Sequence, residues 1–576
     1  MSTGGEVANA LVCKTSIHGF KSHSVLQLLP RNPPHPATLS HLAYPCKNAG
    51  CCNLLLCHPL WDLEIHMSIH AKTFSNPLLL TLLLILLAVA ALAQTPPPPD
   101  SFTGHPRVAI ISDIGNEPDD QMSFVRLLLY SNQLDLEAII ASTSTWQKTA
   151  THPETMHAIV QVYGQVRPNL LLHAQGWPTA EELDKRVFAG QPAYGMASTG
   201  TGKQSPGSQA LLAAIEREDP RPLWICLWGG VNTLAQSLID LRATHTPADV
   251  DRLVSRLRVS SISDQDDAGP WIRREFPTLF YVVKPSPPNS EEYAEATWTG
   301  ISGDLYYRNA TGADTSLVTN QWLETNIRAK GPLGKMYPKF MFIMEGDTPS
   351  YLALIDNGLN AYRRPDWGGW GGRYIFRQPY GESHPIWSQG GDEFFRATSQ
   401  DSVLGIDGIQ HVSDQATIWR WRQAYQNDFA ARMDWTIQDF AHANHPPQLV
   451  VNGQPGTAPL ELTVPVKQSV TLDATGSTDP DRQHLHYKWW VYQEAGLSGT
   501  HGADVSLTSA DTPQAQLTVN SPCRQPWIPG ILPCQGDGVA HVILEVTDDG
   551  APQLTSYRRF IVHVPGPPVT PRPPRP

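Results

Sequence analysis

The hydrophobic pattern between residues 107 and 445 alternates short apolar runs with longer amphipathic ones. Runs of strand length lie at Val108–Ile111, Leu136–Ala141, Leu170–His173, Leu223–Leu227, Leu257–Ile262 and Phe340–Ile343. Helical periodicity is found at Gln121–Tyr130, Pro153–Val162, Ser208–Arg217, Thr233–Ala243 and Thr348–Leu354. This alternation predicts an α/β domain in which helices cover both faces of a parallel sheet.

The pattern changes after His445, where two prolines mark a domain boundary. Strand-like segments with turns between them follow at Ser469–Asp481, His486–Val491, Ala515–Val519, Val542–Thr547 and Tyr557–Val564. They predict a small all-β, immunoglobulin-like sandwich over residues 446–565, with a Trp on a central strand. The Pro- and Arg-rich tail, 566–576, is predicted to be disordered.

The N-terminal segment differs from both domains. Residues 1–66 read as a non-structural extension, although Cys46, Cys51, Cys52 and Cys57 leave an irregular zinc site as the less favoured alternative. Residues 67–93 read as a signal peptide, with a weakly basic start, an apolar centre and a small-residue cleavage site before Gln94. Residues 94–106 read as a Pro-rich linker.

These features predict a secreted, extracellular or periplasmic protein with no stable membrane association after cleavage. The apolar run is shorter than the ~20 residues that a membrane span needs. If translation starts at Met1, the same run would lie internally and could act as an anchor. Cys523 and Cys534 flank a Pro-rich loop and are predicted to form a disulfide in an oxidising compartment, whereas Cys226 reads as a buried thiol.

The length and net charge of the chain limit the number of domains and the class of binding partner. A chain of 576 residues exceeds one ordinary core and predicts two folded domains. Its net charge of −12 argues against a nucleic-acid partner, because phosphates require a basic surface.

An acidic loop directly after the first apolar run carries the candidate chemistry. Four carboxylates lie between this run and the next helix: Asp113, Glu117, Asp119 and Asp120. Carboxylates at this density repel one another, and a hard cation such as Ca²⁺ would hold them together. The alternative is a helix whose first turn is acidic, which would account for Asp119 and Asp120 but not for Asp113.

Polar motifs follow other predicted strands as well. They include Trp228-Gly229-Gly230, the segment 263–267, and Glu345-Gly346-Asp347. Because the carboxyl ends of parallel strands share one edge of the sheet, a single site is expected there.

The segment 107–130 resembles the first strand and calcium loop of the nucleoside hydrolases. It is more similar still to the nucleoside-hydrolase-like cellulose-binding proteins of bacteria and fungi. The resemblance continues at 227–235, 344–350 and 367–374, and into the C-terminal part, which resembles polycystic-kidney-disease-type domains. It implies a calcium site at Asp113, Asp120, Asp347 and the backbone carbonyl of Asn232.

Two positions depart from the hydrolase pattern. A loop Asp, which is a metal ligand and candidate base in that family, is Gly115 here, and a His before the late Asp is Gly346. The resemblance then leaves Asn116 or Glu117 to replace the missing carboxylate and Asp119 to accept from a sugar hydroxyl. The candidate catalytic residues are therefore Asp113, Asn116, Glu117 and Asp119.

Two further groups have competing interpretations. Asp264, Asp266 and Asp267 match by order the loop that holds the sugar in the hydrolases, but they also fit a solvated turn. Trp367 and Trp370 could form a stacking wall for a sugar ring, or fill the core from a Gly-bent loop.

The sequence as a whole predicts a secreted, calcium-assisted hydrolase of glycosidic or N-glycosidic bonds, with a glycan or glycoside as substrate. The alternative is a carbohydrate-binding protein on the same scaffold without turnover. A purely adhesive protein would leave the acidic loops unexplained.

Overall fold

The computed structural model describes residues 96–287, 290–307, 312–392, 397–524 and 535–568. All of them belong to one compact unit, Asn76–Pro576. Its largest sheet has eight strands in the order β3-β2-β1-β4-β5-β6-β8-β7. The strands are β1 (Arg107–Ser112), β2 (Asp135–Ala141), β3 (Val187–Ala189), β4 (Leu223–Leu227), β5 (Leu257–Ser261), β6 (Phe280–Val282), β7 (Ile375–Arg377) and β8 (Ile386–Ser388).

Neighbouring strands of this sheet run parallel except for β7, which pairs antiparallel with β8. Helices of four residues or more lie at Pro118–Leu128, Pro153–Leu170, Ala180–Asp184, Pro206–Glu216, Asn232–Thr244, Pro247–Val254, Ala268–Glu275, Glu291–Ala294, Gly303–Tyr306, Asn320–Leu323, Gly331–Lys335, Pro349–Leu352, Ala416–Trp419 and Arg422–Asp434. Residues 324–328 form a π-helical turn, and 3₁₀ turns lie at Met196–Ser198, Thr297–Ile301, Thr315–Val318, Ala361–Arg363 and Pro365–Trp367. The side chains of β1 and β4 are buried throughout, and one hydrophobic core lies on each face of the sheet. The prediction of a helix-covered, largely parallel sheet is confirmed.

Two predicted strands are wrong. Leu170 ends a long helix and the chain turns after it, so the third strand is β3. Residues 340–343 form no strand, and Asp347 therefore does not follow a strand end. In both places a short apolar run packs into the core without joining the sheet, which periodicity alone does not reveal.

The C-terminal region is a two-sheet sandwich, as predicted. One sheet has the order β15-β22-β21-β17, with β18 paired to β21, and the other has the order β16-β20-β19. The remaining strands are β9 (Gly391–Asp392), β10 (Ala397–Thr398), β11 (Asp401–Leu404), β12 (Gln410–Ser413), β13 (Val450–Val451), β14 (Gln454–Pro455), β15 (Leu460–Thr463), β16 (Ser469–Asp473), β17 (His486–Tyr492), β18 (His501–Gly502), β19 (Asp504–Thr508), β20 (Gln514–Ser521), β21 (Gly538–Thr547) and β22 (Thr555–Val564). Trp489 fills the core between the sheets, but it does so from β17, which is the end strand of its sheet rather than a central one.

The sandwich is docked on the sheet domain through buried polar contacts. Arg559 donates from Nε to the Leu359 carbonyl at 2.6 Å and from Nη2 to the Gly368 carbonyl at 2.8 Å. Gly368 has φ +71, and a Cβ there would lie 2.3 Å from the Tyr492 hydroxyl oxygen. The glycines of the Trp-Gly segment therefore allow the backbone of one domain to approach the other.

The cysteines agree with the sequence reading as far as they are described. Cys226 is buried and free. Cys523 is disulfide-bonded, whereas Cys534 lies outside the described residues, as do the predicted signal peptide and residues 569–576 of the predicted tail. The first residues of that tail are described, and the Gly566 N–H donates to Asp537 Oδ1 at 3.0 Å. Among the described residues, no helix has the length and apolarity required to cross a membrane.

Candidate functional site

A cavity of about 360 Å³ lies at the carboxyl edge of the sheet, beyond β1, β4 and β5. Its lining residues are Asp113, Glu117, Pro118, Asp119, Asp120, Trp146, Trp228, Ile262, Gln265, Ser290, Tyr293, Trp298, Tyr306, Tyr307, Phe342, Ile343, Gly346 and Asp347. Five of them are carboxylates and seven are aromatic, and none is Lys, Arg or His. Its volume is in the range typical of small-molecule sites, roughly 300–1,000 Å³.

The acidic loop is shaped by the end of β1. The Ser112 hydroxyl donates to Asp120 Oδ1 at 2.6 Å and accepts from the Ile114 N–H at 3.1 Å. Asp119 and Asp120 occupy the first turn of the helix Pro118–Leu128, whose N-terminal dipole favours negative charge. Glu117 caps this helix without a side-chain capping bond, so its carboxylate remains at the cavity.

Asp347 reaches the same cavity from a loop. The preceding Glu345 has φ +54, a backbone conformation that is uncommon for a non-glycine residue. Its fully buried carboxylate accepts from Arg126 Nη1 and from the Tyr337 hydroxyl, each at 2.6 Å. This clamp holds the loop and therefore positions Asp347.

Three carboxylates form a compact group. Oxygen atoms of Asp119, Asp120 and Asp347 all lie within 4.8 Å of one another. Two oxygens bound to the same Ca²⁺ at 2.3–2.6 Å can be at most about 5 Å apart, so this spacing suits one calcium ion. Asp347 Oδ2 is buried and has no hydrogen-bond partner among the described residues. The donor set thus fits a hard cation.

The pKa values of the clustered carboxyl groups also favour a bound cation. Burial, together with the charge of Glu117, raises the pKa of Asp119 to about 7. Burial raises the pKa of Asp113 to about 7 as well, partly offset by a hydrogen bond from Ser144. Burial and neighbouring carboxylates raise the pKa values of Asp120 and Asp347 well above their usual range. Without a cation, the cluster would retain protons near neutral pH.

The structure brings together most of the predicted acidic residues. Asp113, Glu117, Asp119, Asp120 and Asp347 all line the cavity. The three-carboxylate group differs from the ligand set that the resemblance implied, because it includes Asp119 and leaves out Asp113. Asn116 is exposed and does not line the cavity.

The two departures from the hydrolase pattern have local causes. Gly115 has φ +116, and a Cβ there would lie 2.6 Å from His152 Cδ2, so this loop cannot hold a carboxylate at that position without shifting. A Cβ at Gly346 would lie 2.8 Å from Asp119 Oδ2. Gly346 therefore leaves room for the Asp119 carboxylate.

Three predicted polar residues are not among those that line the cavity. Asp264 forms a bidentate pair with Arg273 at 2.8 and 2.9 Å, and Asp267 accepts from the Met196 N–H at 2.8 Å. The Asn232 side chain donates to the Ala193 carbonyl at 2.8 Å. Asp264 and Asp267 are therefore held by contacts within the protein and are not among the cavity-lining residues, whereas the predicted ligand role of the Asn232 backbone carbonyl is not tested by these side-chain contacts and stays a prediction.

Trp367 and Trp370 correct a further expectation, that of a stacking wall. Trp367 packs against His541 of the sandwich, with ring centroids 5.5 Å apart, and Trp370 packs against Tyr425 and Tyr557. Both are buried and neither lines the cavity. The alternative, that the Gly-bent loop places them in the core, is what the structure shows.

The aromatic wall was missed by the sequence analysis. It comes largely from residues 293–307, where Trp298 lies 5.1 Å from Tyr293 and 6.4 Å from Tyr307, measured between ring centroids. Gln265 also lines the cavity, but the sequence pattern did not distinguish it from the aspartates beside it. The density of aromatic residues in this segment was the available signal, but the short helices that present it carry no clear periodicity.

Comparisons with known proteins agree with this architecture. The model of the family described as "Cellulose-binding Sde182, nucleoside hydrolase-like domain" matches residues 107–374. The model described as "Cellulose-binding protein Sde0182, C-terminal domain" matches residues 469–564. No curated protein matches the chain.

Solved structures are similar to the chain as well. A nucleoside hydrolase-related hypothetical protein from Saccharophagus degradans, described as associated with carbohydrate metabolism, is 33% identical, with a TM-score of 0.65, over 80% of this chain and 100% of that one. The PKD domain of the KIAA 1837 protein is 25% identical, with a TM-score of 0.13, over 20% of this chain and 87% of that one.

Proposed function

Because the chain belongs to the nucleoside hydrolase-like, cellulose-binding Sde182 family, we propose that it is a secreted protein that hydrolyses glycosyl bonds of a glycan or glycoside with the help of a bound calcium ion. The observation that carries the proposal is the three-carboxylate group at an aromatic-lined cavity. The family description supports a carbohydrate ligand, and the sequence from Met67 to Ala93 supports secretion.

The chemistry follows from the charge that develops during the reaction. Breaking a glycosyl bond builds positive charge on the sugar ring, and nearby carboxylates stabilise that charge. Asp119, Asp120 and Asp347 would hold the ion, which when bound would orient a water molecule and sugar hydroxyls. Asp113 and Glu117 line the same cavity outside this group and are left to contact the sugar or to accept a proton.

Glu117 is the better of the two candidates for the missing carboxylate, since Asn116 is exposed. If Glu117 acts as the base, Glu117→Gln should lower kcat roughly 10²- to 10⁴-fold and leave KM nearly unchanged. Initial rates on an active glycoside would measure this, with Glu218→Gln, at an exposed glutamate, as the matched control. An unchanged kcat would assign proton transfer to another group.

A second candidate is carbohydrate binding without turnover. It is favoured by Gly346, where many hydrolases carry a His, and by the lack of a His among the cavity-lining residues. A hydrolysis screen of glycosides, oligosaccharides and nucleosides, with and without calcium, separates the two. Saturable binding without product in every arm would establish the binding protein.

The secretion proposal has its own test. The secreted protein should begin at Gln94 when its N-terminus is sequenced, because Ala91-Leu92-Ala93 is a small-residue cleavage site. A secreted product that retains residues before Met67 would contradict this.

A further inference from the structure

Outside the acidic cluster, two residues that line the cavity each carry a buried polar atom with no hydrogen-bond partner among the described residues: Trp298 Nε1 and Gln265 Oε1. Their residues are only 3% and 5% exposed. Gln265 Nε2 donates to the Trp228 carbonyl, and this bond leaves Oε1 as the free acceptor. Since an unpaired buried donor or acceptor destabilises the protein, a ligand that pairs with both would gain binding free energy.

Together the two atoms require a ligand that both accepts and donates hydrogen bonds. Trp298 offers only an N–H donor and Gln265 Oε1 only an acceptor. A hydroxyl group can serve either, so a polyhydroxylated ligand suits the pair. Because the cavity is lined by carboxylates and by no basic side chain, an anionic sugar such as a uronate or a sugar phosphate would be repelled.

An exposed aromatic ledge, formed by Tyr306 and Phe342, continues this cavity outward. Both side chains line the cavity and are 48% and 45% exposed, with ring centroids 5.7 Å apart. Apolar rings left open to solvent next to a polar cavity offer a stacking surface for the apolar face of a sugar ring. Because the ledge is continuous with the cavity, its occupant would be a further part of the same ligand.

We propose that the site takes a neutral oligosaccharide of at least two rings. One ring lies in the cavity with hydroxyls paired to Trp298 and Gln265, and the next ring stacks on Tyr306 and Phe342. This deepens the proposed function, since it rests on a sugar in the acidic cavity, and it assigns ligand-binding roles to four residues outside the acidic cluster.

The ledge is tested by the length dependence of binding. Glucose, cellobiose and cellotriose are titrated calorimetrically into the full protein with calcium present. The second ring should tighten binding by roughly three- to tenfold, the value expected of one stacked aromatic contact. The double variant Tyr306→Ala/Phe342→Ala should lose this gain, so that it binds glucose and cellobiose with equal affinity. Tyr380→Ala, at a fully exposed tyrosine that does not line the cavity, is the control.

Equal affinity of the wild type for the monosaccharide and the disaccharide in each of three pairs (glucose and cellobiose, xylose and xylobiose, mannose and mannobiose) would overturn the ledge. So would a double variant that keeps the gain from the second ring. A gain from the second ring in any one of these pairs that the double variant loses would support the ledge.

The hydroxyl-pairing role of Trp298 is tested with Trp298→Phe, which removes the N–H and keeps an aromatic ring. Glucose and cellobiose should bind about tenfold more weakly. Among the monodeoxyglucoses, one should bind the variant and the wild type equally, because it lacks the hydroxyl that the indole pairs with. A merely structural role would weaken every ligand by the same factor, and this outcome or unchanged binding would overturn the assignment.

The two-ring site and the proposed hydrolase activity can fail independently of each other. Length-dependent binding without turnover would support the two-ring site and reject the hydrolase. Turnover with no length dependence would do the reverse.

Discussion

Asp347→Asn is expected to reduce calcium affinity at least about 100-fold, because even groups that only support a metal ligand cost 10- to 100-fold when they are removed. The Asp347 carboxylate belongs to the three-carboxylate group, and its Oδ2 has no hydrogen-bond partner among the described residues. Its replacement by an amide of the same shape therefore removes a charge from the cluster with little other disturbance. Hydrolytic activity, if calcium-dependent, should fall with the metal.

The measurement is the thermal unfolding midpoint with calcium and with a chelator, alongside calorimetric titration of calcium. A ligand at 100 times its Kd adds about 2.7 kcal/mol to the stability of the wild type, and the variant should lack this increment. In chelator the variant should be at least as stable as the wild type, since buried carboxylates then repel less. Asp251→Asn, at an exposed helical aspartate, is the control. Identical calcium responses of wild type and Asp347→Asn would refute the site.

The parts of this site that could be predicted from the sequence are positioned by residues close to them in the chain. Asp113 follows a buried strand and Asp119 opens a helix, so periodicity alone places both at the carboxyl edge of the sheet. Asp347 was assigned to the site by resemblance, but its supposed strand was wrong. Its position depends on the ion pair between Glu345 and Arg126, which are 219 residues apart in sequence.

The Trp-Gly segment shows a second limit of sequence reading. A loop rich in Trp and Gly can either cover a sugar-binding site or pack into the core, and its composition does not distinguish the two. The residues that pack against the loop decide between these roles. Here they are Tyr492 and Tyr557 of the sandwich, which lie some 120 residues or more later in the chain. The aromatic wall at residues 293–307 was missed for the converse reason, since short helices give no periodic signal.

Asp401→Asn is expected to destabilise the protein by about 3–5 kcal/mol, the cost of breaking a buried ion pair by removing one partner. Asp401 is fully buried and accepts from Arg373 at 2.7 Å, from Arg420 at 2.8 Å and from the Tyr492 hydroxyl of the sandwich at 2.5 Å. The variant would leave the buried guanidinium of Arg373 and the partly exposed one of Arg420 without their anion, and would loosen the docking of the sandwich. Urea unfolding at pH 7 measures the loss, and Asp511→Asn, at an exposed aspartate, is the control.

The pH dependence of the same variant gives a sharper test. Burial raises the pKa of Asp401, but Arg373 and Arg420 more than offset this, so the pKa lies below its usual range. A group whose folded pKa is depressed stabilises the fold above its unfolded pKa, about 3.9, and this contribution is lost as the pH falls through the folded value. The stability difference between wild type and Asp401→Asn should therefore stay constant from pH 7 to about 4 and shrink only below that. A difference that instead grows as the pH falls from 7 to 5 would mean that the folded protein takes up a proton at Asp401, so that its pKa is raised, and the ion pairs would then not hold the two domains together.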